Sequence, residues 1–298
     1  MAYKITDKCI SCGACAAECP VGCISQGDTT YVIDKNSCIG CGTCAGAVSY
    51  THLFVTGIEK SYLLVHNMDE LNTEHEKSFF KYIEELVNGR PIQYILGHQE
   101  FMGINFIVNE DVLIPQPDTE ILVEETIKIA QKFSNPKILD LCTGSGAIAV
   151  SLSKFVPNAK LYASDISQKA LETAKMNSRN KKIKFIQSNL FENINDIFDI
   201  IVTNPPYIKT DEISILSKEV QNEPTLALDG GQDGLVFYRQ IIKQANDYLK
   251  HNGYLCMEIG EDQKEEVLEL IKQEANYVNI KTYKDLSGND RVITCKKI

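Results

Sequence analysis

The chain has 298 residues, 44% hydrophobic and 23% charged, and its 30 Lys and Arg against 40 Asp and Glu give a formal net charge of −10. That balance argues against a broad phosphate-neutralising surface, so direct nucleic-acid binding is not expected. No apolar run reaches the roughly 20 residues of a membrane span, and the start, MAYKITDKC, lacks the apolar core of a secretory signal. The expectation is a cytoplasmic chain of about two domains' length with no membrane partner.

Eight of the eleven cysteines fall between Cys9 and Cys44. In a cytosolic chain such clustering reads as metal ligation rather than disulfides. CISCGACAAECP (9–20) completes C-x2-C-x2-C-x3-C-P through Cys9, Cys12, Cys15, Cys19 and Pro20. CIGCGTC (38–44) repeats the first three positions with Cys38, Cys41 and Cys44, but Val48 stands where the fourth is due. This head, residues 1–47, resembles a clostridial two-cluster ferredoxin of small α+β build. It holds too few large apolar residues for a core, so a metal cluster would have to organise it. In that pattern the fourth cysteine of each run ligates the other cluster. The resemblance therefore implies one complete [4Fe–4S] set in Cys38, Cys41, Cys44 and Cys19, and leaves Cys9, Cys12 and Cys15 one ligand short. A three-iron cluster, recruitment of Cys23 and no stable second cluster are the open outcomes. Zinc suits the crowded spacing less well.

Residues 48–110 form a second zone, a junction and then a partial helical and hairpin domain. VSYTHL (48–53) fits neither the ferredoxin-like head nor the helical segment, and the expectation is that two separately encoded proteins are joined there. TEHEKSFFKYIEELVNGRP (73–91) predicts a helix with Thr73 and Glu76 as a capping box and Phe79, Phe80, Ile83 and Leu86 as its buried stripe. Gly89 and Pro91 stop it. QYILGHQEFMGINFIVNEDVLIP (93–115) predicts short strands and turns.

From about residue 111 to 298, strands and helices alternate. PKILDLC, KLYASD, KIKFIQ, FDIIVTN and GYLCMEI are strand candidates, and AIAVSLSKF, SQKALETAKMNSRN, GLVFYRQIIKQANDYLK and QKEEVLELIKQEA are helical. The alternation predicts a doubly wound, mostly parallel α/β sheet. VNIKTYKDLSGNDRVITCKK closes it as a hairpin around SGND. Cys142, Cys256 and Cys295 lie singly in apolar stretches and read as buried small side chains. His66, His75, His98 and His251 have no second ligand at metal spacing.

ILDLCTGSGAIAV (138–150) is a strand, a glycine turn and a helix start. Gly144 and Gly146 allow close approach of a ligand. Asp165, 19 residues after Gly146, ends the next strand, where a carboxylate can accept from ribose hydroxyls. By pattern alone this also fits a dinucleotide site. TNPPYIK (203–209) separates the two readings. The side-chain oxygen of Asn204 and the carbonyl of Pro205 can accept the two hydrogens of a planar –NH2, and Tyr207 offers a flat face. Two acceptors so placed turn the nitrogen lone pair toward an electrophilic methyl.

From about residue 60 onward the chain resembles the HemK/PrmC family, the N5-glutamine methyltransferases of peptide chain release factors. The resemblance runs through RPIQYILGHQEF (90–101), VLIPQPDTEILVE (112–124), DLCTGSGAIA (140–149), NPPYI (204–208) and NEPTLALDGGQDGL (222–235). It implies a class I, Rossmann-like methyltransferase domain, S-adenosylmethionine as donor, and the glutamine of a release factor's GGQ loop as acceptor. It further implies cofactor contacts from Cys142, Thr143, Gly144, Ser145, Gly146, Asp165, Leu190 and Asn204, and amide binding by Asn204, Pro205, Pro206 and Tyr207. The family often has Arg where Gln116 stands, and many methyltransferases have an acid where Asn189 stands. The family's N-terminal helical domain is shortened here. The chain's own GGQ (230–232) reads as a turn feeding a helix. An adenine-N6 nucleic-acid methyltransferase shares the NPPY chemistry but needs base flipping and a recognition surface. A third reading is electron transfer through the head alone.

Overall fold

The computed structural model describes residues 5, 14–17, 19, 21–39, 51, 54–58, 72–179 and 182–298. Cys9, Cys12, Pro20, Cys41, Cys44, Val48, His66 and all of VSYTHL but Thr51 lie outside them. Contacts divide the chain into two compact units, Met1–Leu96 with Ser217–Asn222, and Gly97–Leu216 with Glu223–Ile298.

In the first unit a short helix α1 (Ala14–Ala17) precedes an antiparallel pair, β1 (Ile24–Gln26) and β2 (Tyr31–Ile33), in register Ile24↔Ile33. Cys23, Ile24 and Ile33 are buried, with Cys15, Cys19 and Cys38 against them. Helix α2 (Thr73–Val87) comes next in the chain. Its N-cap is Asn72, not Thr73 as the capping-box reading expects. The Asn72 side-chain oxygen accepts from the N–H groups of Glu74 and His75 at 3.1 and 2.8 Å, so the first-turn donors are already satisfied. Phe79, Ile83 and Leu86 are buried with Ile92 and Ile95. Phe80 is instead 46% exposed, one residue off the stripe, its ring edge-on to Phe79. The predicted strand start at Gln93 is also corrected, since Ile92–Leu96 form the short helix α3. Helix α7 (Lys218–Gln221) belongs to this unit, and the amide of the next residue, Asn222, donates to Gly89 O at 3.0 Å.

The second unit opens with the hairpin β3 (His98–Phe101) and β4 (Ile104–Ile107). Helix α4 (Thr119–Ala130) comes next, an element the sequence reading leaves unassigned. Leu122, Val123, Thr126, Ile129 and Ala130 are its buried face, at helical spacing. The seven-stranded sheet is built from β5 (Lys137–Leu141), β6 (Lys160–Asp165), β7 (Ile183–Gln187), β8 (Phe198–Thr203), β9 (Leu249–Glu258), β10 (Tyr277–Lys284) and β11 (Asp290–Lys297), in spatial order β10-β11-β9-β8-β5-β6-β7. From β9 to β7 every pairing is parallel, and the terminal hairpin adds β11 and β10 antiparallel. Between strands run α5 (Ala147–Phe155), α6 (Gln168–Ser178), α8 (Thr225–Leu228), α9 (Val236–Tyr248) and α10 (Lys264–Gln273). All of β8 and Ile138–Leu141 of β5 are buried, as continuous apolar strands covered on both faces must be. The sheet separates two cores, one holding Phe198, Tyr238, Leu255 and Ile293, the other Phe101, Phe106, Leu122 and Ile200. This is a doubly wound sheet whose order reverses between β5 and β8, and such reversals open a crevice at the strands' carboxyl ends.

Candidate active site

That crevice is a cavity lined in large part by the loops after β5, β6, β7 and β8. Behind β5, Cys142 takes a left-handed φ of 62°, Gly144 of 54° and Gly146 of 81°. A Cβ on Gly144 would meet nothing within 4 Å, so this glycine leaves the cavity room, whereas one on Gly146 would reach Ala174 Cβ at 3.0 Å. The loop is pinned from below by Asp140. This fully buried carboxylate accepts from Thr143 Oγ1 at 2.5 Å and from Ala149 N at 3.0 Å, while its Oδ1 has no partner. Burial pushes its pKa up to about 7, against the pull of those two bonds. Asp165 at the end of β6 accepts from Gly144 N and Ser167 N, both at 2.9 Å, and so ties two cavity loops together. Leu190 sits at φ 46°, held by Ser188 Oγ, which donates to the Leu190 carbonyl at 2.7 Å. Two non-glycine residues in left-handed backbone on one cavity wall mark a strained, functional site.

Asn204, just past β8, lines the same cavity. Its Nδ2 donates to Thr119 Oγ1 at 3.3 Å, leaving Oδ1 as the acceptor. Pro206 also lines the cavity; Pro205 is buried beside it and Tyr207 turns behind it, its hydroxyl 3.5 Å from Glu258 Oε1. The turn is clamped from outside. Gln263 Nε2 donates to Tyr207 O at 2.9 Å, and Ile208 exchanges backbone bonds with Leu228 and Gly230. Gly230 and Gly234 press on Tyr207 so closely that a Cβ would come within 2.7 Å of its Cα and 2.4 Å of its carbonyl oxygen. The GGQ of this chain is therefore a backbone clamp ahead of α9. Behind the turn lies a buried charge group. Arg291 pairs with Asp285 at 3.1 Å and Asp118 at 3.4 Å, and burial raises Glu258 to about 7 although Thr119 and Arg291 hold it down.

The Methyltransferase small domain family matches residues 117–223, the PrmC N-terminal domain family 49–97, and the 4Fe-4S binding domain family 2–25. The chain is similar to the release factor glutamine methyltransferase of Clostridium acetobutylicum, 38% identical over 248 residues that cover 80% of this chain and 87% of the relative. It is 44% identical to that of Fusobacterium nucleatum over 214 residues, 70% of this chain and 60% of that longer relative. The chain belongs to the release factor glutamine methyltransferase family. Its fold is also that of the hMettl16 catalytic domain, solved in complex with the MAT2A 3'UTR hairpin 6, at TM-score 0.54 and 15% identity, covering 66% of this chain and 76% of that one.

For this methyltransferase, Cys142, Thr143, Gly144, Ser145, Asp165, Leu190, Asn204 and Pro206 share the cavity wall, while Gly146, Pro205 and Tyr207 stand outside it. Pro115, Gln116, Pro224 and Phe237 are among the further lining residues to which the sequence motifs assign no cavity contact. For Pro115, Gln116 and Pro224 the signal lay in the proline-bearing stretches IPQP and NEP, whereas Phe237 stands in the helical segment GLVFYRQ, where nothing marked it. Gln116 turns its amide to Ile114 O at 3.1 Å and, being neutral, brings no charge to the carboxylate of Glu223. Glu223 is buried and accepts from Ile114 N at 2.8 Å, stitching the two stretches together across 109 residues. Ser49–Leu53 of the junction fall inside the PrmC N-terminal match, so VSYTHL is not foreign to both halves.

In the head, Cys19 and Cys23 bring their sulfurs to 3.4 Å. Burial, then the neighbouring Cys19 and Cys38, push the Cys23 thiol up to about 12. Among the described residues no group of three or more His, Cys, Asp or Glu is disposed to hold a metal ion. Four of the seven predicted ligands, Cys9, Cys12, Cys41 and Cys44, lie outside those residues. No helix of the described chain is long and apolar enough to cross a membrane.

Proposed function

We propose that this chain moves a methyl group from S-adenosylmethionine to the side-chain nitrogen of the GGQ glutamine in a peptide chain release factor. The observation that carries it is the one cavity lined by Asn204, the Gly144 loop and Asp165. S-adenosylmethionine, when bound, supplies an electrophilic methyl on a sulfonium. The open space over Gly144 and the inward-facing Asp165 fit its methionine–ribose part, and Leu190 beside Asn189 fits its adenine. Asn204 Oδ1 and the Pro205 carbonyl accept the two amide hydrogens, which aims the nitrogen lone pair into the cavity. As the N–C bond would form, the S–CH3 bond would break with its electron pair returning to sulfur, and one N–H proton would leave, so the products are S-adenosylhomocysteine, a secondary N-methyl amide and a proton. Incubation with purified release factor and S-adenosylmethionine is expected to add one methyl to the GGQ peptide; an unmodified peptide with cofactor bound would overturn this.

The site residues and the division into 1–47, 48–110 and 111–298 belong to the same reading. So do a cytoplasmic location and the absence of nucleic-acid and membrane partners, supported by the net charge of −10. For the head, the 4Fe-4S family match over residues 2–25, the run of Cys9, Cys12, Cys15 and Cys19, supports iron–sulfur binding, and the spacing of Cys38, Cys41, Cys44 with Cys19 is the basis for proposing one complete [4Fe–4S] set.

A further inference from the structure

The Asn204 carboxamide can meet a substrate –NH2 with either end, and only its oxygen is useful there. Its Nδ2 is committed to Thr119 Oγ1 at 3.3 Å. A hydroxyl has one proton and two lone-pair sites, so Thr119 accepts from Asn204 stably only while its own proton has another acceptor. The group that can take it is Glu258, 2% exposed at the end of β9. Its Oε1 receives the Tyr207 hydroxyl at 3.5 Å, and its Oε2 is buried with no hydrogen-bond partner. The Thr119 side chain lies close enough to this carboxyl to favour its charged form. Arg291 favours that charge too, while Asp118 opposes it.

We propose that Glu258 and Thr119 are positioning residues: the Glu258 carboxylate takes the Thr119 proton, Thr119 takes the Asn204 N–H, and Asn204 Oδ1 is thereby aimed at the substrate amide. This rests on the reading of Asn204 as the amide acceptor. When Glu258 is protonated it donates to Thr119 instead, the hydroxyl proton is released toward Asn204, and the carboxamide turns its –NH2 to the substrate. Donor then faces donor, and the lone pair is no longer oriented. The same carboxyl, through Tyr207, steadies the far end of the NPPY turn.

The test uses the 15N-labelled full chain. The Asn204 carboxamide cross-peak, assigned by its loss in Asn204→Ala, is followed from about pH 5 to about pH 9. It is expected to shift with a single titration in the parent and in Thr119→Ser, and to stay still in Glu258→Gln and Thr119→Val. A peak that does not titrate in the parent, or titrates equally in Thr119→Val, overturns the relay. In the methylation assay Thr119→Val is expected to lose about 10- to 100-fold in kcat with KM for S-adenosylmethionine unchanged, and Thr119→Ser to recover most of it. Equal kcat in Thr119→Val and parent likewise overturns it. A parent that binds S-adenosylmethionine but methylates no release factor defeats the substrate reading, and the resonance then decides the relay alone.

Discussion

Asn204 and Glu223 illustrate two kinds of single-residue control. Asn204 is expected to act mainly on the rate: Asn204→Ala should cost about 10²- to 10³-fold in kcat, as loss of one preorganised polar group does elsewhere, with a much smaller loss of cofactor affinity by calorimetry. Glu223 acts on stability. Burial lifts its pKa from 4.5 to about 7, against the pull of the Ile114 N–H. A carboxyl raised in this way is protonated in both states at low pH and costs nothing there. The cost grows as pH climbs from about 4.5 through about 7 and is complete above that. Glu223→Gln keeps the acceptor and removes the charge, so by denaturant unfolding it should be about 1–3 kcal/mol more stable than the parent at pH 8 and equal to it at pH 4. Gly144, Asp165 and Asn204 were legible in the sequence because each stands at or just past the end of a strand within a recognisable motif. Thr119 and Glu258 were not, because 85 and 51 residues separate them from the NPPY positions they serve. Only the adjacency of β9 to β8 brings Glu258 there.

Among the elements, α5 coincides with the predicted AIAVSLSKF, since a glycine turn, a buried small-residue face and Pro157 just beyond it all agree on its bounds. Helix α4 escaped because its β-branched, apolar-rich run TEILVEETIKIA reads equally as strand, and its Asp118 cap makes no side-chain bond. At α2 the stronger cap stood one residue before the one the pattern suggested. The loop before α9 is the most constrained connection. Gly234 has φ 71° and a Cβ there would sit 2.4 Å from Tyr207 O. Gly234→Ala is therefore expected to destabilise by about 2–4 kcal/mol and to lower kcat further by displacing Tyr207. Thermal unfolding and the methylation assay read the two effects separately. Unchanged values in both would mean that this loop does not hold the NPPY turn.

Across the whole molecule, a family catalytic unit stands behind a cysteine-rich head whose chemistry the methyl transfer does not use. Moving a methyl to an amide nitrogen needs no electron, so anaerobic reconstitution with iron and sulfide should give the head an iron–sulfur absorbance while leaving kcat unchanged. A kcat that rises and falls with cluster occupancy would make the head part of the enzyme. Amplifying source DNA across the codons for Thr43 to Tyr62 tests the junction itself: a continuous product establishes one gene, and two separately amplifying halves establish two. The measurement that bears most directly on the substrate is a side-by-side incubation with methyl-labelled S-adenosylmethionine, one arm holding release factor and the other adenine-containing DNA and RNA. Label confined to the glutamine of the GGQ peptide, and lost with Asn204→Ala, is the expected result. Label on adenine, with the GGQ peptide unmodified, would contradict it.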